Sequence, residues 1–236
     1  MNRDAVLAEL GLGPIWKLRR APQADGGRAP PADAAVPDRT SNIAGLDWPE
    51  LATSVAACTA CGLCGSRKNT VFGVGNRQAA WMIVGEAPGA EEDERGEPFV
   101  GQAGRLLDAM LAALALKRER DVYIANVLKC RPPGNRNPAP EEVARCAPYL
   151  TRQVALIKPR LLVLMGRFAA QTLLESEASI ASMRGRVHQV GATPAIVTYH
   201  PAYLLRTPLD KARAWEDMLF ARAVDRRLQS GRAAST

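Results

Sequence analysis

The sequence predicts an α/β fold: a three-layer α/β/α arrangement around a central, mostly parallel four-stranded sheet. Three observations predict it. Apolar, strand-like runs occupy residues 79–84, 122–127 and 160–165. Helical patterns lie between them, and regular alternation of strand and helix belongs to a parallel sheet with helices on both faces. A Gly/Pro/acidic loop follows the first run, from Gly85-Glu86-Ala87-Pro88-Gly89 to Pro98-Phe99-Val100-Gly101. In open α/β sheets ligands bind there, outside the carboxyl ends of the strands.

In chain order, residues 2–20 read as a short helix carrying Val6, Leu7, Leu10 and Leu12. Residues 21–40 are Ala/Pro/Gly-rich without periodicity and read as a disordered linker. Residues 1–45 are therefore expected to be an extension, 46–228 the domain and 229–236 a tail. Order is expected from Asp47, which can cap a helix with Pro49 in its first turn and Glu50 closing a capping box. A loop at 62–75 leads to a strand at 80–84 and the Gly85–Gly101 loop. In the helix at 102–116, Ala103, Leu106, Leu107, Met110, Leu111 and Leu114 recur at three- and four-residue steps. A strand at 122–127 precedes a loop broken by Pro132-Pro133. Pro140-Glu141-Glu142 opens a helix to about residue 157. A strand at 160–165, a helix near 167–175, a β-pair at 187–190 and 195–198, and a helix at 209–228 complete the chain. No internal repeat is visible.

Of the 236 residues, 47% are apolar, and no run of twenty uncharged apolar residues occurs. Nothing therefore spans a membrane as a helix. The first residues, Met1-Asn2-Arg3-Asp4, lack the pattern of a secretory signal, so a cytoplasmic protein is expected. The net charge is +7. Residues 1–45 hold six Lys/Arg and five Asp/Glu, which leaves +6 on the remainder and suits a polyanionic partner. No G-x-x-x-x-G-K-S/T motif occurs, which argues against a phosphate-cradling nucleotide enzyme.

The five cysteines are an odd count for an intracellular chain, and favour metal ligation or free thiols over disulfides. Cys58 and Cys61 form a C-x-x-C, Cys64 follows, and Cys130 and Cys146 lie far downstream. Cys130 sits in an Arg/Pro/Gly loop where no core is expected, so burial alone explains it poorly. The residues by themselves separate neither zinc from an iron–sulfur cluster nor the four ligands from the fifth thiol.

Taken in order, several motifs resemble the family 4 uracil-DNA glycosylases, the iron–sulfur branch of that superfamily. They are Cys58-x-x-Cys61-x-Leu63-x-x-x-Arg67, Gly85-Glu86-Ala87-Pro88-Gly89, Pro98-Phe99-Val100-Gly101, Asn126, Lys129-Cys130-Arg131-Pro132-Pro133-Gly134-Asn135-Arg136, Cys146, and His200-Pro201-Ala202-Tyr203-Leu204-Leu205-Arg206. The resemblance covers residues 47–225. It implies a structural 4Fe–4S cluster on Cys58, Cys61, Cys130 and Cys146, far from the reacting base, with Cys64 left over. It also implies a monomer that acts on uracil-containing DNA in base excision repair, hydrolysing the N-glycosidic bond to leave an abasic site.

Such a reaction requires an extruded base, a reader for its polar edge, a donor for the charge developing on it, and a water near C1′. His200 is the candidate donor to uracil O2. Asn126 would pair with N3 and O4, because an amide presents donor and acceptor together. Phe99 would stack on the base above Gly85, and Glu92 would block its C5 edge. Ala87 stands where a better-known branch carries a water-positioning aspartate. The water therefore falls to backbone groups of Glu86 and Ala87 and to the Glu86 side chain. Lys129, Arg131, Arg136 and Arg206 would contact phosphates, and Tyr203, Leu204 or Leu205 would fill the gap left by the flipped base. His188 matches no motif and reads as structural. Two alternatives rank lower. A non-catalytic iron–sulfur DNA-binding protein leaves His200, Asn126 and Phe99 without a purpose. A sister type that binds uracil-DNA covalently has Gln in the place of Ala87.

Overall fold

The computed structural model describes residues 35–233, so the helix expected at residues 2–20 lies outside the described part. Six strands form one sheet: β1 (Val74–Gly75), β2 (Trp81–Gly85), β3 (Val122–Asn126), β4 (Leu161–Met165), β5 (Val187–Val190) and β6 (Thr193–Thr198). Their spatial order is β1-β3-β2-β4-β6-β5. The expected four-stranded parallel sheet is its centre, β3-β2-β4-β6, with Gly85 paired to Asn126 and Met165 to Thr198. Antiparallel β1 and β5 widen it to six. The two-residue β1 is too short to leave a sequence pattern.

The three layers follow from the central strands, each of which is buried along most of its length. Met82 and Val84 of β2 point to one face, where they pack with Leu150 and Ile157 of α5 (Pro140–Ile157) and Ala169 and Ala170 of α6 (Arg167–Leu174). Trp81 and Ile83 point to the other, against Leu107 and Leu111 of α4 (Gln102–Ala113) and Met218 and Ala221 of α9 (Lys211–Ala233). Each fully buried Leu, Ile or Val contributes roughly 1.5–3 kcal/mol, so these two layers hold the sheet.

Three boundaries differ from expectation. A helix, α1 (Ala35–Gly45), precedes Asp47 where a linker was expected; it buries Ile43 with Leu51, Val55 and Tyr149. Asp47 then caps α2 (Trp48–Ala56) through the capping box that the sequence predicts, with Glu50 reaching back to the Asp47 N–H. The long loop after β2 contains α3 (Ala90–Arg95), so the acidic run 91–94 is helical. Its Asp93 is buried and accepts from the Lys68 and Asn69 backbone. The final helix continues through the expected tail to Ala233. Two short α-helices, α7 (Ile180–Met183) and α8 (Pro201–Arg206), and three 3-10 turns at Gly62–Gly65, Pro133–Asn135 and Pro208–Asp210 complete the described elements. Among the described residues no helix is long and apolar enough to cross a membrane.

Candidate active site and cysteine centre

The carboxyl ends of β2, β3, β4 and β6 meet at a cleft of about 800 Å3. Glu86 and Ala87 enter it after β2, Asn126 ends β3, Gly166 and Arg167 follow β4, and Tyr199 and His200 follow β6. Phe99, Glu92, Arg136, Tyr203 and Arg206 also line it.

Asn126 is 2% exposed, and its Oδ1 has no hydrogen-bond partner. A buried amide oxygen left unpaired costs on the order of 1–3 kcal/mol, so its orientation toward a cleft points to a missing partner. Gly85 makes this placement possible, since a Cβ there would lie 2.4 Å from Asn126 Oδ1 and 2.6 Å from Phe99 Cζ. Phe99 is held with φ +55, a left-handed conformation costly for a residue with a Cβ. Arg118 clamps it by donating to the carbonyl oxygens of Phe99, at 2.9 Å, and of Pro98. Gly104 completes the clamp, because a Cβ there would fall 1.7 Å from the Phe99 carbonyl oxygen.

The His200 ring stacks on Phe99 with centroids 5.3 Å apart. Its Nδ1 accepts from the Ala202 N–H at 3.1 Å, capping α8. That bond requires a lone pair on Nδ1, so the neutral ring carries its proton on Nε2. Burial lowers the His200 pKa to about 4, with Arg206 acting in the same sense and Glu92 against it. The ring is therefore a neutral donor at physiological pH.

Glu86 behaves oppositely: burial pushes its carboxyl up to about 7, with Arg167 restraining the shift. The backbone carbonyls of Gly85 and Glu86 accept from the Val127 and Leu128 N–H groups, both at 3.0 Å. The Glu86 carbonyl keeps one lone pair beyond its bond to Leu128, so both the Glu86 backbone and its side chain stand at the cleft beside Ala87. Glu92 spends its carboxylate on three backbone donors, Gly89, Val100 and Gly101, at 3.0–3.1 Å. It fastens the loop to the start of α4.

Two residues expected at the DNA surface are elsewhere. Lys129 is 1% exposed, and its ammonium donates to Gln153 Oε1, the Asn126 carbonyl and the Phe72 carbonyl. Its ammonium is turned inward, away from the surface. Leu204 is likewise buried, at 1%, because it faces inward from α8, whereas Leu205 is exposed. Arg131 is not part of the cleft lining but donates to Oδ1 of Asn135, which is, and Arg136 forms a forked pair with Glu142 at the cleft edge. His188 lies outside the cleft lining, with Nε2 2.7 Å from the Met183 carbonyl.

Sequence reasoning missed Arg118, Gln153 and Arg167. Arg167 had a usable signal in its position, directly after a glycine at the carboxyl end of a parallel strand. Arg118 and Gln153 act from neighbouring elements and left none.

Behind the cleft, Cys58, Cys61, Cys130 and Cys146 line one small pocket together with Arg67, Arg145 and Tyr149; Cys64 is not among its walls. Donors reach the sulfurs: Arg67 to Cys130 at 3.1 Å, the Lys129 N–H to Cys146 at 3.3 Å, and Arg39 to Cys58 at 3.7 Å. Burial raises the Cys146 thiol to about 11 and that of Cys130 upward, so thiolates here call for a compensating cation. Among the described residues no group of three or more His, Cys, Asp or Glu is placed to hold a single metal ion. Ala87, on the cleft wall, packs against the Leu63, Leu128 and Cys130 cluster. Ala87 thus touches both the cleft and the cluster of residues around Cys130.

Residues 72–219 match the model of the uracil DNA glycosylase superfamily. The chain is 48% identical to a type-4 uracil-DNA glycosylase of Archaeoglobus fulgidus over 67% of its own length and 83% of that protein. It is 41% identical to the Pyrobaculum aerophilum type-4 enzyme over 77% of its length and 97% of the relative. For the Thermotoga maritima type-4 enzyme the identity is 45%, over 67% and 83%. With these matches and a cleft framed by Asn126, Phe99 and His200, the chain belongs to the uracil-DNA glycosylase superfamily, in its type-4 branch.

Proposed function

We propose that the protein removes uracil from DNA by hydrolysing the bond between C1′ and N1, leaving an abasic site. The unpaired Asn126 amide carries this reading. Its Oδ1 can accept from uracil N3–H while its Nδ2 donates to O4; cytosine reverses both signs and is refused. Phe99 supplies the stacking face, and Arg206, Arg136 and the exposed Leu205 are the groups available to the DNA strand.

The bond breaks as uracil leaves with its electron pair. His200 Nε2–H then donates to O2, where negative charge gathers, and the neutral ring needs no proton exchange to do so. Water reaches the sugar from the Glu86–Ala87 side. Ionised Glu86 orients it and takes its proton. No carboxylate stands at Ala87, so stabilisation of the leaving base contributes most.

The donor set suits the implied cluster: four cysteine sulfurs around one pocket, with Arg67 and Arg39 to offset the negative charge of thiolates. Cys58, Cys61, Cys130 and Cys146 would hold it, and it would supply structural cross-linking between α2 and the loop after β3. Incubation with a labelled uracil oligonucleotide, followed by alkali, is expected to cut at the uracil. Lack of product from brown, anaerobically purified protein would refute the reading.

A pH consequence follows from Glu86. Activity is expected to rise through about pH 7 as the carboxyl ionises. Stability runs the other way. The folded state holds an extra proton between the ordinary Glu range and about 7, so stability falls as pH rises across that window. Glu86→Gln should thus excise slowly, lose the acid limb, and melt higher than the parent at pH 8 but not at pH 4.5. Parallel melting curves at both pH values would contradict this.

A further inference from the structure

Lys129 belongs to none of the roles above, although it is one of the largest fully buried side chains in the molecule. Its Nζ donates to Gln153 Oε1 at 2.6 Å, to the Asn126 carbonyl at 2.9 Å and to the Phe72 carbonyl at 3.4 Å. All three acceptors are neutral oxygens. Burying an ammonium is costly, and such a site persists only when the charge is fully hydrogen-bonded.

The place of the Asn126 carbonyl explains the need for a side-chain donor. β1 pairs with β3 only at Tyr123 and Ile124, so the ladder on that side ends two residues before Asn126. On the opposite side Asn126 is paired with Gly85. The last residue of β3 is thus held by a strand along one edge and by Lys129 along the other. Gln153 is held in turn, donating to the Phe72 carbonyl at 2.9 Å and approaching the Tyr123 hydroxyl at 3.4 Å. Lys129 itself is fixed at both backbone groups: its N–H donates to Cys146 Sγ, and its carbonyl accepts from Val71 at 2.7 Å. None of these groups occupies the Asn126 side chain, whose Oδ1 stays unpaired.

We propose that Lys129 is a positioning residue for uracil recognition: its ammonium replaces the missing strand at Asn126 and holds that backbone so the free amide edge meets the base. This rests on Asn126 being the uracil reader. A small displacement of a reading group costs up to about 10²-fold, so Lys129→Met should lower kcat/KM on a uracil oligonucleotide roughly 10- to 100-fold. Affinity for abasic-site DNA, which does not involve the amide edge, should not change.

The test is a double-mutant cycle with Asn126→Ala, read as single-turnover excision together with abasic-DNA binding. If Lys129 acts through Asn126, Lys129→Met adds no further loss in the Asn126→Ala background. Independent, multiplicative losses, or a parallel loss of abasic-DNA affinity, would overturn the proposal and make Lys129 a general stability residue. Undiminished activity of Asn126→Ala alone would instead overturn the reading of Asn126. Should Lys129→Met not fold, Gln153→Met removes the shortest Lys129 hydrogen bond without touching Asn126. The same cycle then applies, with a smaller loss expected in the parent and none with Asn126→Ala; an equal loss in both backgrounds overturns the proposal.

Discussion

Replacing His200 by asparagine is expected to slow uracil excision about 10²- to 10³-fold, the usual effect of removing one donor to a developing oxyanion. Asparagine is chosen because His200 also caps α8 through Nδ1, and asparagine is among the best residues for that task. The fold should therefore survive while the Nε2–H is lost. Alanine removes both and should cost a further 0.5–2 kcal/mol or so of stability from the missing cap. The pH dependence gives a second signature. The His200 pKa is lowered from its ordinary value to about 4 in the fold, so its contribution is present above the unfolded range and is lost as pH falls from about 6.5 toward 4. His200→Asn should flatten melting temperature against pH in that window. Equal loss of activity and of folded protein would make His200 a structural residue only.

Changing Cys130 to alanine is expected to give colourless protein with little iron and a melting temperature lower by about 10 °C or more. Structural metal sites of thiolate type hold on the order of 10 kcal/mol or more, comparable to the whole stability of a domain. The loss should be uneven, however. The two large clusters on the sheet faces contain no cysteine, while the four proposed ligands belong to the smaller clusters around α2 and the loop after β3. The sheet should persist as the cleft wall loosens, and excision should fall with iron content. Cys64→Ser is the control, expected to retain iron, because Cys64 is not part of the pocket wall. Full iron and an unchanged melting point in Cys130→Ala would refute the assigned ligand set.

The parallel centre of the sheet was legible because its strands are continuous apolar runs separated by helical spacing. The capping box at Asp47 was equally plain. What escaped notice depended on long-range partners. Lys129 looks like a phosphate contact in a basic loop, and only the fold shows that it turns inward to Gln153, twenty-four residues away. Glu92 sits in an acidic run that looks solvated, yet its carboxylate is used by Gly89, Val100 and Gly101. Leu204 and Leu205 cannot be ranked as a wedge until the helix phase of α8 turns one in and the other out. Asn126, Phe99 and His200 were found through the resemblance of their ordered motifs to the family, since each alone also reads as a turn, core or strand-end residue; the fold sets all three on the wall of one cleft.

The most direct test is single-turnover excision by the parent and by Asn126→Ala, on matched oligonucleotides carrying uracil or cytosine. The parent is expected to release uracil and leave cytosine. Asn126→Ala should lose about 10²-fold or more on uracil with abasic-DNA affinity unchanged, since the interaction lost is with the base alone. Excision of uracil at the parental rate by Asn126→Ala would contradict the account.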